Sequence, residues 1–284
     1  MTFEETSKIL ERQEGLLHYH EAGEGPPLLL LHGSGPGVSG WANFGANLPV
    51  LAQNFRCLVL DLPGYGRSAP VAGHPVLVAA DAVRGFLARL GIPRAHILGN
   101  SYGAIVGANI AAHSPEIVER FATVGGFGFT PFSAFPAEGI IRLVEFVEEP
   151  TRERLVAWMR SMVFSESVLT DEMIDARFKT AHEPAVMATS KVMYTRAGIA
   201  AIAERMRGPD GMADLAYLSR ITAPTLIMWG RDDRVNPLDG ALLPTRAIPN
   251  CELHVFPKCG HWAMIERKTE FEQVLIGFLT RSTK

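Results

Sequence analysis

Cysteine is scarce in this chain: three in 284 residues, Cys57, Cys251 and Cys259. An odd, sparse set predicts free thiols in a reducing compartment, and no pair has the spacing of a metal site. Long apolar runs are missing too. No stretch of about 18 uninterrupted apolar residues occurs, so no membrane span is expected. The opening "MTFEETSKILERQEG" is acidic and polar and lacks a signal-peptide apolar region, so the expectation is a cytoplasmic protein. Nor is there an excess of one charge. With 27 basic and 30 acidic residues the net charge is -3, which argues against a nucleic-acid partner or a polybasic membrane contact.

What remains is a chain of ordinary globular composition, 47% hydrophobic and 20% charged, long enough for a large core. Strand-length apolar runs alternate with helical patterns, which predicts a parallel sheet covered by helices. Strands are expected at Leu28–Leu31, from Cys57 up to the breaker Pro63-Gly64, in "AHILGN" (95–100) and in "FATVGG" (121–126). Helical spacing follows in 77–91, with Gly91 as C-cap, and in "SYGAIVGANIAAHSPEIV". From about Phe127 to Met212 the pattern is mostly helical. The strand–helix rhythm then resumes with "APTLIMWGRDD", "CELHVFPKCGHW" and "KTEFEQVLIGFLTR". The expected organisation is a core of residues 1–129 and 210–284, with a helical cap inserted at 130–209.

Gly99-Asn100-Ser101-Tyr102-Gly103 has the form G-x-S-x-G. Chance alone puts this pattern in roughly one chain in ten of this length, so its surroundings decide its meaning. It lies where a buried strand ends and a helix starts. Such a turn strains the nucleophile's backbone and leaves room only for glycine two residues either side. The helix N-terminus adds free N–H groups for a developing oxyanion. A serine nucleophile also needs a base and an acid to orient it, in the chain order Ser, Asp or Glu, His. After Ser101 only His182, His254 and His261 are available. His182 lies in the helical insert and His254 in mid-strand, whereas His261 follows a strand in the loop "KCGHW". His261 is the expected base. The acid follows "TLIMWG", where Asp232 and Asp233 are adjacent and sequence physics does not choose between them. Tyr102 N–H and, from the loop after "LLLLHG", Ser34 N–H are the expected oxyanion donors. His32 reads as a structural hydrogen-bonding residue, and a thiol nucleophile at Cys259 is a weaker alternative to the serine.

The blocks "HGSGPGVSGWANF", "DLPGYGRS", "GNSYG", "GRDDRVNPLDGAL" and "HVFPKCGHW" resemble the α/β-hydrolase-fold enzymes that hydrolyse carbon–carbon bonds in meta-cleavage products of aromatic rings. The resemblance runs from about residue 16 to 280 and is weakest in the insert. It implies a mostly parallel central sheet flanked by helices, with an inserted cap. Ser101 and His261 take the nucleophile and base positions, and the acid is Asp233. Ser34 and Tyr102 supply the oxyanion donors. Asn43 and Asn100 line the polar end of the pocket, Arg177 holds a substrate carboxylate, and Trp262 packs beside the dienoate. It also implies a small-molecule substrate, no cofactor, no metal and a homo-oligomer. Tyr102 departs from the family pattern, which has methionine or leucine there. Phe127, Phe129, Phe132 and Phe135 suit either an apolar pocket wall or ordinary core. The alternative activity is that of a carboxylesterase or lactonase using the same three residues.

Overall fold

The computed structural model describes residues 1–127, 130–208 and 215–282. Eight strands form one sheet: β1 Ser7–Leu10, β2 Leu17–Ala22, β3 Pro27–Leu31, β4 Arg56–Leu60, β5 Ala95–Asn100, β6 Val118–Val124, β7 Thr225–Gly230 and β8 Cys251–Phe256. Their spatial order is β1-β2-β4-β3-β5-β6-β7-β8. β1 and β2 are antiparallel, and β4 to β8 with β3 are parallel.

A parallel sheet is covered on both faces, so its strands must be apolar on both. Along β3, Leu28 and Leu30 join one buried cluster with Phe271, Leu275 and Phe278 of the helix Lys268–Leu279. Leu29 and Leu31 join the opposite cluster with Val83 and Phe86 of the helix Pro75–Arg89 and Val106 and Ile110 of the helix Tyr102–His113. Period-two alternation thus divides the core between the faces.

β3 lies between β4 and β5, so the connections leaving β3 and β5 diverge at a switch point, where open α/β sheets bind ligands. Gly33–Gly37 and Ser101 both stand there. The helices Glu138–Glu148, Arg152–Ser161, Asp171–Ala181, Pro184–Met193 and Arg196–Arg207 fall between β6 and β7. Among the described residues 130–208 there is no strand. The expected boundaries at 129 and 209/210, and Phe129 itself, lie outside the described residues.

β1 and β2 were not expected from the sequence, because "SKIL" and "LHYHEA" carry too much polarity. They are fixed by a long-range contact. His18 Nδ1 lies 2.7 Å from Asp61 Oδ2, and Ser7 Oγ lies 2.8 Å from His18 Nε2. β6 begins at Val118, three residues before the expected start, because Arg120 is buried with its guanidinium over the Phe278 ring. No helix among the described residues is long and apolar enough to cross a membrane.

Candidate active site

Ser101 sits between β5 and its following helix at φ 50° and ψ -111°, in the left-handed region that costs a non-glycine residue free energy. The turn is too tight for a side chain two residues to either side. A Cβ on Gly99 would fall 2.3 Å from Gly103 O, and one on Gly103 would fall 2.2 Å from Leu31 O. Gly99→Ala or Gly103→Ala is therefore expected to destabilise the fold by about 2 kcal/mol. A thermal midpoint unchanged in either variant would contradict that steric account.

Asp233 and His261 are brought together and buried, with His261 Nδ1 2.7 Å from Asp233 Oδ2. The other carboxylate oxygen, Oδ1, accepts the N–H groups of Val235 at 2.8 Å and Asn236 at 2.9 Å. The carboxylate is thus locked, and it fixes Nδ1 as the protonated ring nitrogen and leaves Nε2 free to act as base. Asp232 turns the other way, to Arg231 at 3.2 Å. The Ser101 N–H donates to Val124 O at 2.8 Å, and the His261 ring packs on the next residue, so close that a Cβ on Gly125 would meet Cε1 at 2.7 Å. Nucleophile and imidazole therefore share one corner at the end of β6. No hydrogen bond joins Ser101 Oγ to His261 Nε2 here, a link that commonly tightens only with substrate in place.

His32 and His182 are held by backbone partners. His32 Nδ1 lies 2.6 Å from Gly33 O, and Nε2 accepts the Leu62 N–H at 2.9 Å, so the ring braces the loop after β3. Burial lowers its pKa. The ring nitrogens of His182 face the carbonyls of Phe178 at 2.8 Å and Pro150 at 2.9 Å. His254, on β8, lies 3.6 Å from Glu270 of the helix Lys268–Leu279, beyond hydrogen-bond distance. Cys259 is buried, and desolvation pushes its thiol up, so no thiolate competes with the serine.

A cavity of about 510 Å³ is lined by Asn43, Arg177 and Trp262, together with Trp41, Met159 and Lys268. The guanidinium of Arg177 stands 5.3 Å from the Trp158 ring and 5.9 Å from that of Trp262. Its Nε donates to Pro36 O at 2.6 Å, and no carboxylate pairs with it among the described residues. What Arg177 exposes faces the cavity, and desolvation there lowers its pKa to about 10, so it stays charged at neutral pH.

The loop after β3 links this cation to the nucleophile. A Cβ on Gly33 would lie 3.6 Å from Ser101 Cβ, and one on Gly35 would lie 3.7 Å from an Arg177 nitrogen. Ser34, between them, and Tyr102 leave their N–H groups without an acceptor among the described residues. Ser34 Oγ touches the Tyr194 hydroxyl, a contact the sequence did not signal.

Two expectations are corrected. Ser34, Ser101, Tyr102 and His261 stand outside the lining of the Arg177 cavity, and so does Asn100. Asn100 is buried behind Asn43, accepting from Asn43 Nδ2 at 3.1 Å and donating to Val124 O at 3.1 Å. Phe132 is no wall, being 82% exposed, because Asp239 holds its N–H and that of Ser133 and turns the side chain outward. Phe127 is buried and Phe135 partly so. The Tyr102 phenol lines a separate 270 Å³ cavity with Tyr65 and Met193, away from Arg177.

Residues 26–268 match the α/β hydrolase fold family. A 2-hydroxy-6-oxononadienedioate/2-hydroxy-6-oxononatrienedioate hydrolase of Pseudomonas putida is 39% identical over 270 residues, 93% of this chain and 91% of that one. The 2-hydroxy-6-oxo-6-phenylhexa-2,4-dienoate hydrolase of Comamonas testosteroni is 36% identical over 281 residues, 96% of this chain and 95% of the other. The chain belongs to the meta-cleavage product hydrolase family of the α/β-hydrolase fold. A solved member, the meta-cleavage product hydrolase of Pseudomonas fluorescens IP01, superposes with a TM-score of 0.86 at 28% identity, covering 97% of this chain and 98% of its own. The family places the chain among serine hydrolases acting on carbon–carbon bonds. Among the described residues no group of three His, Cys, Asp or Glu could hold a metal ion.

Proposed function

We propose that this enzyme hydrolyses the C5–C6 bond of a 2-hydroxy-6-oxo-hexa-2,4-dienoate bearing an apolar 6-substituent. The products are 2-hydroxypenta-2,4-dienoate and a carboxylic acid. The observation that carries the reading is Arg177: a half-buried guanidinium that no carboxylate pairs among the described residues, set between two indoles and facing a 510 Å³ cavity. A half-buried cation without a counter-ion is poorly solvated, and a planar substrate carboxylate offsets that cost through bidentate hydrogen bonds.

A carbon–carbon bond does not break to a bare carbanion. With C1 at Arg177, the dienol first ketonises, taking a proton at C5, so that the departing fragment leaves as a stabilised dienolate. His261, held through Nδ1 by Asp233, manages protons through Nε2. The C6 carbonyl is attacked at the Ser101 end of the Gly33–Gly37 loop, by Ser101 or by water it positions. The Ser34 and Tyr102 N–H groups receive the oxyanion, each such donor being worth roughly 3 kcal/mol in the transition state. Collapse breaks C5–C6, and water supplies the hydroxyl of the acid product. The helices between β6 and β7 act as the cap that encloses this path.

Charge supports the apolar 6-substituent. A dienedioate would bring a second carboxylate, but the cavity's other lining cation, Lys268, is paired with Glu272 at 2.6 Å. The test is a panel of coloured ring-fission products, followed by loss of visible absorbance, beside neutral aryl esters. The 6-phenyl dienoate is expected to exceed the 6-carboxyethyl dienoate in kcat/KM by about tenfold, a difference of about 1.4 kcal/mol. The reverse order would overturn the apolar assignment. Aryl esters turning over faster than every dienoate would overturn the carbon–carbon reading in favour of an esterase.

A further inference from the structure

The loops that carry Asp233 and His261 both grip one short stretch of the cap, residues 160–165. His261 N–H donates to Met162 O at 2.7 Å. Arg234, beside the acid, donates to the carbonyls of Arg160 and, at 3.0 Å, Val163. Glu266 closes the arrangement. Its Oε1 accepts the N–H groups of Phe164 at 2.8 Å and Ser165 at 2.9 Å, and its Oε2 accepts the Gly260 N–H at 2.6 Å. Gly260 immediately precedes the base and is packed so tightly that a Cβ there would lie 2.6 Å from Met162 O.

One carboxylate therefore joins three backbone donors from two parts of the chain, in charge-assisted bonds stronger than neutral ones. Burial raises its pKa and the three N–H groups oppose that rise; with donors on both oxygens, the geometry suits the ionised carboxylate.

We propose that Glu266 is a positioning residue: it clasps cap residues 164 and 165 to the His261 loop, so that seating the cap and placing the imidazole beside Ser101 are a single event. This rests on the triad reading above. Misplacement of a catalytic group by about 1 Å can cost on the order of a hundredfold in rate, so a partial loosening has a measurable effect.

Glu266→Gln keeps the shape but turns an NH2 toward a backbone N–H. In the folded variant, verified by near-ultraviolet circular dichroism, kcat on the dienoate is expected to fall about tenfold with KM within about threefold. Arg234→Gln, which releases the same segment, is expected to act in the same direction. The double variant is expected to lose less than the product of the two, since both act through residues 160–165. Amide exchange at Gly260, Phe164 and Ser165 should accelerate together in Glu266→Gln. Wild-type kcat in folded Glu266→Gln with only a lowered melting temperature would overturn the proposal, as would fully multiplicative effects. If Glu266→Gln does not fold, Arg234→Gln decides alone: reduced kcat at near-normal KM supports the clasp, and wild-type kcat refutes it. Ser101→Ala is assayed alongside. Near-normal activity there would sink the triad reading, whereas an inactive Ser101→Ala beside a wild-type-like Glu266→Gln would sink only the clasp.

Discussion

Ser101→Ala and His261→Ala should each lower the rate of dienoate cleavage by at least roughly a thousandfold. Among the described residues the Ser101 side chain makes no hydrogen bond, so its removal takes away chemistry more than packing. His261 is different in kind, being buried against Gly125 and bonded to Asp233 at 2.7 Å. Its loss also leaves a buried carboxylate without one partner, although Asp233 keeps the Val235 and Asn236 N–H groups. A modest drop in melting temperature is therefore expected for His261→Ala and none of similar size for Ser101→Ala. The two residues act as a unit, so the double variant should be hardly slower than either single one. What persists should come from the Ser34 and Tyr102 N–H groups and from binding at Arg177. The measurement is single-turnover fading of the substrate's visible absorbance with purified, folded variants. Near-normal cleavage by either would overturn the assignment of roles.

How much of this was legible follows from how far apart in the chain each interaction reaches. The strands with apolar runs and the serine turn are local patterns. A strand ending in Gly-x-Ser-x-Gly dictates its own sharp turn: Gly99 is needed by a contact with Gly103, close in the chain, although Gly103 also answers to the backbone of β3. The choice between Asp232 and Asp233 was not legible from residue physics. Two adjacent carboxylates differ only in which one the turn offers to Val235 and Asn236, and the family resemblance, not periodicity, separated them. β1 and β2 were missed because their polar residues are matched by Asp61 and Ser68, far along the chain. Tyr194 and Glu266 gave no signal for the same reason. A tyrosine ending a helix and a glutamate in a short turn look like surface until residues 160 and 102 positions away arrive beside them. Phe132 misled in the opposite sense, since an aromatic residue in an apolar setting is turned outward by the distant Asp239 carboxylate.

Arg177→Gln should lower kcat/KM for dienoates at least a hundredfold while leaving neutral aryl esters within about threefold, because removing one member of a desolvated ion pair costs roughly 2–5 kcal/mol. Two structural features keep Arg177 in place without a substrate. The indoles of Trp158 and Trp262 stack on the guanidinium, and Nε is held by Pro36 O at 2.6 Å. The terminal nitrogens are thereby left for a ligand in the cavity. Since burial lowers the pKa only to about 10, the cation persists across the neutral range, and its effect should be flat with pH between about 6 and 8. Lysine is not an adequate substitute, because its ammonium neither forks nor stacks; Arg177→Lys should recover only part of the loss. The competing account is that Arg177 merely props the Gly33–Gly37 loop through Pro36. In that case the Ser34 oxyanion donor would shift, and esters and dienoates, which share that donor, would suffer alike. Equal losses on both substrate classes would therefore remove the carboxylate role, whereas a loss confined to dienoates separates recognition of the acid end from chemistry at the ketone.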